Sequence, residues 1–178
     1  MAGERLIALF ERKYGSRVLA ELLRRNGARV APLAHQLEAS RVAIRATLAD
    51  LVERGWVEPN PGHGHPLRPE WILTAAGRPI ARQCAALDDL LEDQGLRSIG
   101  ASKWPLPVLH TIGRRGARFS EIVHRLPRLT DRALSLSLQD LAAAELVVRE
   151  VLDTRPLGTR YAPTEGGLEL LPALRRLA

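Results

Sequence analysis

The apolar residues in the first half of the chain recur with helical spacing in five segments and with strand spacing in two. The helical period predicts helices over about residues 4–14, 16–25, 32–37, 41–54 and 75–91. Residues 56–57 and 71–73 predict the two strands of a hairpin, and the proline- and glycine-rich segment between them predicts its tip. Capping residues support these limits, because Gly27 and Gly55 suit helix ends whereas Ser40 and Thr74 suit helix starts.

The second half of the chain predicts the same order of elements. Helices are expected over about residues 106–114, 120–126 and 131–144 and again after Thr164, with Ser120 and Thr130 as N-caps. A hairpin is expected from residues 146–151 and 159–162, and very short strands from residues 28–30 and 118–119. Residues 93–102 are polar and contain glycine, so this segment is expected to be a linker between the halves.

Individual residues also recur about 90 positions apart, which indicates two copies of one module. The matched pairs include Lys13-Tyr14 with Lys103-Trp104, Val18-Leu19 with Val108-Leu109, Gly27-Ala28-Arg29 with Gly116-Ala117-Arg118, Leu48 with Leu138, Trp71 with Tyr161, Thr74 with Thr164 and Gly77 with Gly167. A repeat of this length has the size of a small domain. The sequence therefore predicts two tandem modules, residues 1–92 and 103–178, arranged as a pseudo-dimer in one chain.

The order helix, short strand, helix, tight turn, helix and hairpin is typical of a winged helix-turn-helix. The expected fold class is thus mainly α with small β-hairpins (α+β). The helix after the tight turn projects from such a domain, and an α-helix fits the major groove of double-stranded DNA. Two projecting helices on one chain suit palindromic DNA with half-sites about 34 Å apart.

The first turns of the two projecting helices carry the small, polar and basic side chains that groove binding needs. The candidate DNA-contacting residues on them are Ser40, Arg41, Arg45 and Thr47 in the first module and Thr130, Arg132, Ser135 and Ser137 in the second. Among these, Ser40 and Thr130 are expected to position phosphates. Basic residues of the hairpins are expected to reach the flanking backbone or minor groove, namely His63, His65, Arg68, Arg155 and Arg160.

Composition narrows the class of protein further. The net charge of +6 and the isoelectric point near 10.6 favour a polyanionic partner. Each half contains 13 basic and 10 acidic residues, a balance of +3, so neither half stands out as the DNA-binding one. A single cysteine, no long apolar run and no signal-peptide pattern predict a cytoplasmic protein that does not enter a membrane.

Residues spread over most of the second half form a pattern that is found in a known family. They are Lys103-Trp104, Val108-Leu109, Gly116, Arg118-Phe119-Ser120-Glu121-Ile122, Leu126-Pro127, Leu129-Thr130, Leu134, Leu138, Leu141, Leu146-Val147, Arg149, Tyr161, Pro163-Thr164, Gly167 and Leu170-Leu171-Pro172. Through these residues the second half resembles the HxlR-type winged-helix regulators, which are related to the MarR group. The first half looks like a diverged copy, with Tyr14 in place of the tryptophan and Val30-Ala31-Pro32-Leu33 in place of Phe-Ser-Glu-Ile.

The resemblance implies a DNA-binding transcription regulator, because members of this family usually bind DNA in that role. They are usually single modules that dimerise through their terminal helices. It places Ser40, Arg41, Val42 and Arg45, and likewise Thr130, Asp131, Arg132 and Ser135, at recognition-helix positions. Val42 stands where a polar residue is usual, and Asp131 places a carboxylate where a phosphate contact would be expected.

The sequence leaves other functions open. Val42, Asp131 and the modest charge of each module also fit an adaptor that binds a protein partner and has weak or no DNA contact in one module. A third option is a ligand-gated regulator with a pocket between the modules. The fused pair is expected to act as a monomer or to dimerise once more.

Catalysis, cofactors and metals are not expected. No nucleophile, base and acid fall at a meaningful spacing, and no cofactor motif is present. His63 and His65 could be two metal ligands, but no further ligands accompany them. Cys84 lies among apolar residues, which favours burial over redox sensing. His35 and His124 occupy matching positions, which favours a structural hydrogen bond over ligand sensing.

Overall fold

The chain folds into two compact units, each with its own apolar core. The computed structural model describes residues 3–65, 68–152 and 158–178, with the side chains of residues 63–65 and 68 left aside. The N-terminal unit comprises Leu9–Leu90. The C-terminal unit comprises Leu91–Ala178 and the described part of Met1–Ala8.

The N-terminal unit is mainly helical and has one antiparallel hairpin. Its helices and strands, two of which continue past its ends, are α1 (Glu4–Glu11), α2 (Gly15–Arg25), α3 (Val30–Gln36), α4 (Arg41–Glu53), β1 (Val57–His65), β2 (Arg68–Leu73) and α5 (Gly77–Asp93). Val57 pairs with Leu73 at the base of the hairpin, and the register shifts between Pro59 and Gly64.

After a short helix, the C-terminal unit has the order of elements that the N-terminal unit has from α2 onward. Its elements are α6 (Arg97–Gly100), α7 (Pro105–Ile112), α8 (Phe119–Arg125), α9 (Asp131–Ala143), β3 (Val147–Leu152), β4 (Gly158–Pro163) and α10 (Glu165–Leu177). The strands β3 and β4 pair in regular antiparallel register from Val147 opposite Pro163. The predicted class, mainly α with small β-hairpins, is confirmed. Within the described residues, no helix is long and apolar enough to cross a membrane.

Leucine and isoleucine fill both cores, because the chain contains few aromatic residues. In the N-terminal unit, α2 and α4 bury Leu19, Ile44 and Leu48 completely. In the C-terminal unit, α7 and α9 bury Leu109 and Leu134 in the same way. Each buried side chain of this size contributes about 1.5–3 kcal/mol relative to an exposed one. The inner faces of α4 and α9 are therefore fixed by packing, and their outer faces are free for other roles.

The short strands predicted before α3 and α8 are reduced to single bridges. Ala28 pairs with Trp71, and Ala117 pairs with Tyr161, each through two backbone hydrogen bonds of 2.8–3.0 Å. The helix starts immediately after each bridge, so the predictions of strands at 28–30 and 118–119 are wrong. Ser120 lies inside α8 rather than capping it, because the helix begins one residue earlier, at Phe119.

The ends of the two units differ from the predicted boundaries. The segment expected to be a linker contains α6, in which Ile99 and Gly100 are buried. Arg5 donates hydrogen bonds to the carbonyl oxygens of Leu177 and Ala178, at 3.2 and 2.8 Å. These bonds join the start of the chain to α10, so residues 3–8 belong with the C-terminal unit although the repeat predicted them in the first module.

A threonine and a glycine join the end of each hairpin to the helix that follows it, in both units. In the C-terminal unit, the Thr164 hydroxyl donates to the Glu145 carbonyl oxygen at 2.6 Å and accepts from the Gly167 amide at 3.1 Å. The same two bonds link Thr74 to Gly55 and Gly77 in the N-terminal unit, at 2.7 and 2.9 Å. The backbone of each hairpin is thereby tied to the C-terminal end of the preceding helix.

This junction leaves no room for a side chain at its glycine. A methyl group added to Gly167 would lie 2.1 Å from the carbonyl oxygen of Leu146, whereas one added to Gly166 would lie 3.6 Å from a Leu146 methyl group. We therefore expect Gly167→Ala to lower the free energy of unfolding by about 2–3 kcal/mol through overpacking. Gly166→Ala should leave it unchanged or raise it by up to about 1 kcal/mol, because alanine favours helix.

Urea unfolding followed by circular dichroism measures both glycine variants. Because the two substitutions add the same methyl group at adjacent positions, equal effects on stability would contradict the close approach at Gly167.

One half-buried histidine of the C-terminal unit should make stability depend on pH. Burial, and secondarily the charge of Arg175, lower the pKa of His110 in α7. The unfolded chain, with a histidine pKa of about 6.5, therefore takes up a proton before the folded chain does. Stability should be fully present above about pH 6.5 and should fall as the pH drops toward the folded pKa. His110→Gln should flatten this part of a curve of unfolding free energy against pH, and an unchanged curve would contradict the assignment.

Candidate nucleic-acid interface

Each unit contains two helices joined by a short turn, of four residues between α3 and α4 and of five between α8 and α9. In the N-terminal unit the turn between α3 and α4 has Glu38 in the left-handed conformation (φ 50°), and the Ala39 amide donates to the Ala34 carbonyl at 2.9 Å. In the C-terminal unit the Leu129 amide donates to the Leu126 carbonyl at 2.9 Å. Leu37, Leu126 and Leu129 are buried and fix these turns to the core.

Both helices that follow the turns begin with a side-chain cap. The Ser40 hydroxyl accepts a hydrogen bond of 3.1 Å from the Ala43 amide at the start of α4. The Thr130 hydroxyl accepts one of 3.3 Å from the Ala133 amide at the start of α9. Both residues are exposed, as predicted, and each hydroxyl can still donate its own hydrogen to a phosphate oxygen.

The first turns of α4 present two cations and one apolar side chain. Arg41, Val42 and Arg45 are exposed, and 74% of Val42 is accessible. Residues three and four apart are neighbours on a helix surface, so Arg45 lies beside both Arg41 and Val42. An exposed valine between two arginines has no packing role within the unit. This surface combines cationic donors with one apolar contact, which is a suitable combination for base edges.

The first turns of α9 present a different set of side chains. Arg132, Ser135 and Leu136 are exposed, and 52% of Leu136 is accessible. Asp131 and Asp140 lie on the same helix and are also exposed. Asp131 is in the first turn, where a carboxylate interacts favourably with the helix dipole. The exposed surface of α9 therefore carries less positive charge than that of α4.

Two residues expected at the interface are buried instead. Thr47 is 2% exposed, and its hydroxyl donates to the Ala43 carbonyl at 2.9 Å. Ser137, at the matching position, is 4% exposed and donates to the Ala133 carbonyl at 2.8 Å. Both predictions were wrong, because these positions share the inner face with Ile44 and Leu134. The hydroxyls satisfy themselves within their own helix and are not available to DNA.

One of the basic hairpin residues, Arg160, takes part in an ion pair. Arg160 on β4 faces Glu150 on β3 and donates two hydrogen bonds to one oxygen of its carboxylate, at 3.0 and 2.6 Å. This ion pair is half-exposed, and the predicted contact of Arg160 with a phosphate stays a prediction. The predictions for Arg155 and for the side chains of His63, His65 and Arg68 lie outside the described residues.

The C-terminal end of α4 is held by ionic contacts that the sequence did not predict. Arg54 donates to Asp50 at 2.8 Å and to Glu11 at 3.2 Å, and its guanidinium lies 5.8 Å from the centre of the Trp56 ring. The hydrogen bond to Asp50 is the main cause that raises the pKa of Arg54 above its ordinary value. These contacts hold α4 against α1 and the base of the hairpin.

A charged network fixes α2 to α5 in the N-terminal unit. Arg24 donates to Glu21 and to Asp88, both at 2.9 Å, and Glu21 is buried. Burial alone would lower the pKa of Arg24, but the hydrogen bonds to Asp88 and Glu21 raise it above its ordinary value. The guanidinium therefore stays charged, and its role is structural.

Arginines outside the predicted set are also exposed in both units. Arg29 and Arg118 are the residues immediately before α3 and α8, and both are exposed. Their recurrence in the repeated Gly-Ala-Arg motif was the signal that could have identified them. Arg149 on β3 is also exposed and pairs with Tyr161 across the hairpin.

The residues considered for other chemistry lie apart from this interface. Cys84 is buried in α5, as its apolar neighbours predicted. His35 and His124 are exposed on their helices. Within residues 3–65, 68–152 and 158–178, no group of three histidine, cysteine, aspartate or glutamate side chains could hold a metal ion.

Known proteins share the helix-turn-helix of the C-terminal unit. The family model of the HxlR-like helix-turn-helix matches residues 99–178. An uncharacterized HTH-type transcriptional regulator of Methanothermobacter thermautotrophicus is 35% identical over 96 residues, which cover 51% of this chain and 73% of the relative. The chain belongs to the HxlR-like helix-turn-helix family.

Two relatives from Bacillus subtilis support this membership in the HxlR-like family. The uncharacterized HTH-type transcriptional regulator YvaP is 31% identical over 78 residues, covering 44% of this chain and 72% of YvaP. The HTH-type transcriptional regulator YodB is 30% identical over 73 residues, covering 41% of this chain and 65% of YodB. The resemblance based on Lys103-Trp104 and the residues after it is therefore confirmed at the level of the family.

The caps of the recognition helices can be tested by stability. Thr130→Ala should lower the free energy of unfolding by about 1 kcal/mol, because the Ala133 amide loses its acceptor. Ser120→Ala is the matched control, since this exposed residue lies within α8 and should change stability by less than about 0.5 kcal/mol. Guanidinium unfolding measures the free energy of unfolding of both variants. A larger loss for Ser120→Ala than for Thr130→Ala would contradict the assignment of Thr130 as the cap of α9.

Proposed function

We propose that this protein is a sequence-specific regulator of transcription that binds double-stranded DNA through two tandem winged helix-turn-helix units. The observation that carries the proposal is the exposed group of Arg41, Val42 and Arg45 on the first turns of α4. Family membership and the names of the relatives support the same class of function.

A tandem pseudo-dimer is supported by hydrogen bonds that recur at matched positions. The caps Ser40 and Thr130, the buried hydroxyls of Thr47 and Ser137, and the threonine junctions each make equivalent bonds in both units. Two copies of a module in one chain would supply two recognition helices without a second subunit. We infer that the protein contacts two half-sites as a monomeric pseudo-dimer.

The roles within the interface follow from the chemistry of each side chain. Arg41, Arg45 and Arg132 have the planar donors that pair with guanine, and Ser135 can donate to or accept from a base. Ser40 and Thr130 would donate to phosphates from the helix starts. The hairpin residues His63, His65, Arg68 and Arg155 remain proposed contacts to the flanking backbone. Arg160, which is paired with Glu150, also remains a proposed contact.

A protein-binding role for the C-terminal unit is the second candidate. It is favoured by the carboxylates of Asp131 and Asp140 and by the exposed Leu136 on α9. A phosphate backbone repels such carboxylates, whereas an apolar side chain beside them suits a protein surface. In this case only the N-terminal unit would bind DNA, and the protein would be an adaptor.

Charge-matched arginine variants test the proposed interface. Arg41→Ala combined with Arg45→Ala should weaken binding to a footprinted genomic site by about 100-fold or more, since each base contact contributes about 1–3 kcal/mol. Arg78→Ala combined with Arg82→Ala removes the same charge from exposed positions of α5 and should have a much smaller effect. Fluorescence anisotropy at fixed salt measures both.

Equal losses in the two double variants would mean that α4 has no special role and that only net charge matters. Arg132→Ala distinguishes the second candidate: a loss of about tenfold or more supports DNA contact by the C-terminal unit, and no loss supports the adaptor.

A further inference from the structure

The outward faces of the two recognition helices differ at five matched positions. The caps correspond at Ser40 and Thr130, so positions 90 residues apart occupy the same places on α4 and α9. The matched pairs on the outer faces are Arg41 with Asp131, Val42 with Arg132, Arg45 with Ser135, Ala46 with Leu136 and Ala49 with Gln139. The inner faces keep the same chemistry, as at Ile44 with Leu134 and Leu48 with Leu138. The two helices are thus alike where they pack and unlike where they project.

The placement of apolar and cationic groups also differs between the two helices. On α4 the apolar Val42 lies between Arg41 and Arg45, whereas on α9 Arg132 occupies the position of Val42 and the apolar Leu136 follows it. A shift of three residues moves a side chain about 4.5 Å along a helix axis. This exceeds the spacing of about 3.4 Å between successive nucleotides of one strand. Arg45 and Arg132, whose matched positions are three residues apart, would therefore meet bases at least one position apart within their half-sites.

These differences have direct consequences for base recognition. An arginine pairs with the acceptor atoms of guanine, and an apolar side chain contacts the methyl group of thymine. On α4, Val42 beside Arg45 suits a thymine next to a guanine. On α9, Arg132 and Leu136 suit the same two kinds of base at shifted positions, and Gln139 adds a group that pairs with adenine.

We propose that this protein binds a non-palindromic DNA site composed of two unlike half-sites, each specific for one unit. The proposal rests on the proposed function, and it replaces the palindrome expected from the repeat alone. A dimer of identical chains is restricted to matching half-sites by its symmetry. A pair of units within one chain has no such restriction, and their outer faces have diverged accordingly.

Selection of bound duplexes from a random pool, followed by sequencing, tests this directly. The full chain should select a site whose two halves differ, and with that site in hand two palindromes can be made from its left and right halves. At unchanged spacing, each palindrome should bind the chain about tenfold more weakly than the selected site, because one unit then faces the wrong bases.

A variant with two similar outer faces should reverse this preference. It gives α9 the side chains of α4 through five substitutions at exposed or partly exposed positions, namely Asp131→Arg, Arg132→Val, Ser135→Arg, Leu136→Ala and Gln139→Ala. We expect it to bind the palindrome of the half-site recognised by α4 about tenfold more tightly than the original site. Asp140→Arg is the matched control, because it adds the same net charge of +2 to α9 outside this set.

The control should raise affinity for all duplexes by a similar factor and leave their order unchanged. Selection of a true palindrome by the unmodified chain, or equal affinity for the three duplexes, would overturn the inference while leaving DNA binding intact. Failure to bind any duplex would instead overturn the proposed function and the inference with it. The affinities of the unmodified chain for the three duplexes test the inference even if the variant with five substitutions does not fold.

Discussion

The close approach of a helix start to the end of the recognition helix is the constraint on which each unit depends. At Gly77 and Gly167 the backbone lies so near the carbonyl oxygens of Trp56 and Leu146 that only glycine fits. Thr74 and Thr164 complete the junction by bonding on both sides of it. Because the hairpin begins and ends at this junction, the recognition helix and the wing are held as one rigid piece. A DNA-binding surface made from both elements requires that rigidity.

Packing divides each recognition helix into a fixed inner face and a variable outer face. The inner face of α4 includes Ile44 and Leu48, and it also takes in the hydroxyl of Thr47, which bonds within the helix. The outer face presents arginine and valine to solvent. Since the inner face supplies the core packing of each helix, the outer faces of α4 and α9 could diverge without loss of the fold. The proposed difference between the half-sites follows from this separation.

Much of the fold could be predicted from the sequence because its signals are local. The caps at Ser40, Thr130, Thr74 and Thr164 and the periodic leucines locate the helices to within a few residues. The repeat predicted two modules, and the chain divides into two compact units with different limits. Thr47 is buried, although its polarity suggested a place on the outer face. Helical spacing from Ile44 and Leu51 already puts it on the inner face.

Other features required information that the sequence does not contain. The pairing of Arg160 with Glu150 depends on the register of a hairpin whose tip length has no clear signal. The place of residues 3–8 depends on bonds from Arg5 to the carbonyl oxygens of the last two residues, which lie more than 170 positions away in the chain. Long-range contacts of this kind follow from tertiary packing, and local patterns do not reveal them.

Affinity cleavage tests most directly whether both outer faces meet DNA. Ala49→Cys and Gln139→Cys each place a thiol on an exposed position of α4 or α9, and an iron chelate attached there cuts nearby nucleotides. Cys84 is 1% exposed and should remain unlabelled. Each labelled variant should cut within the bound site, and the two variants should cut at separate positions. Cleavage by only one variant, or by neither, would contradict it.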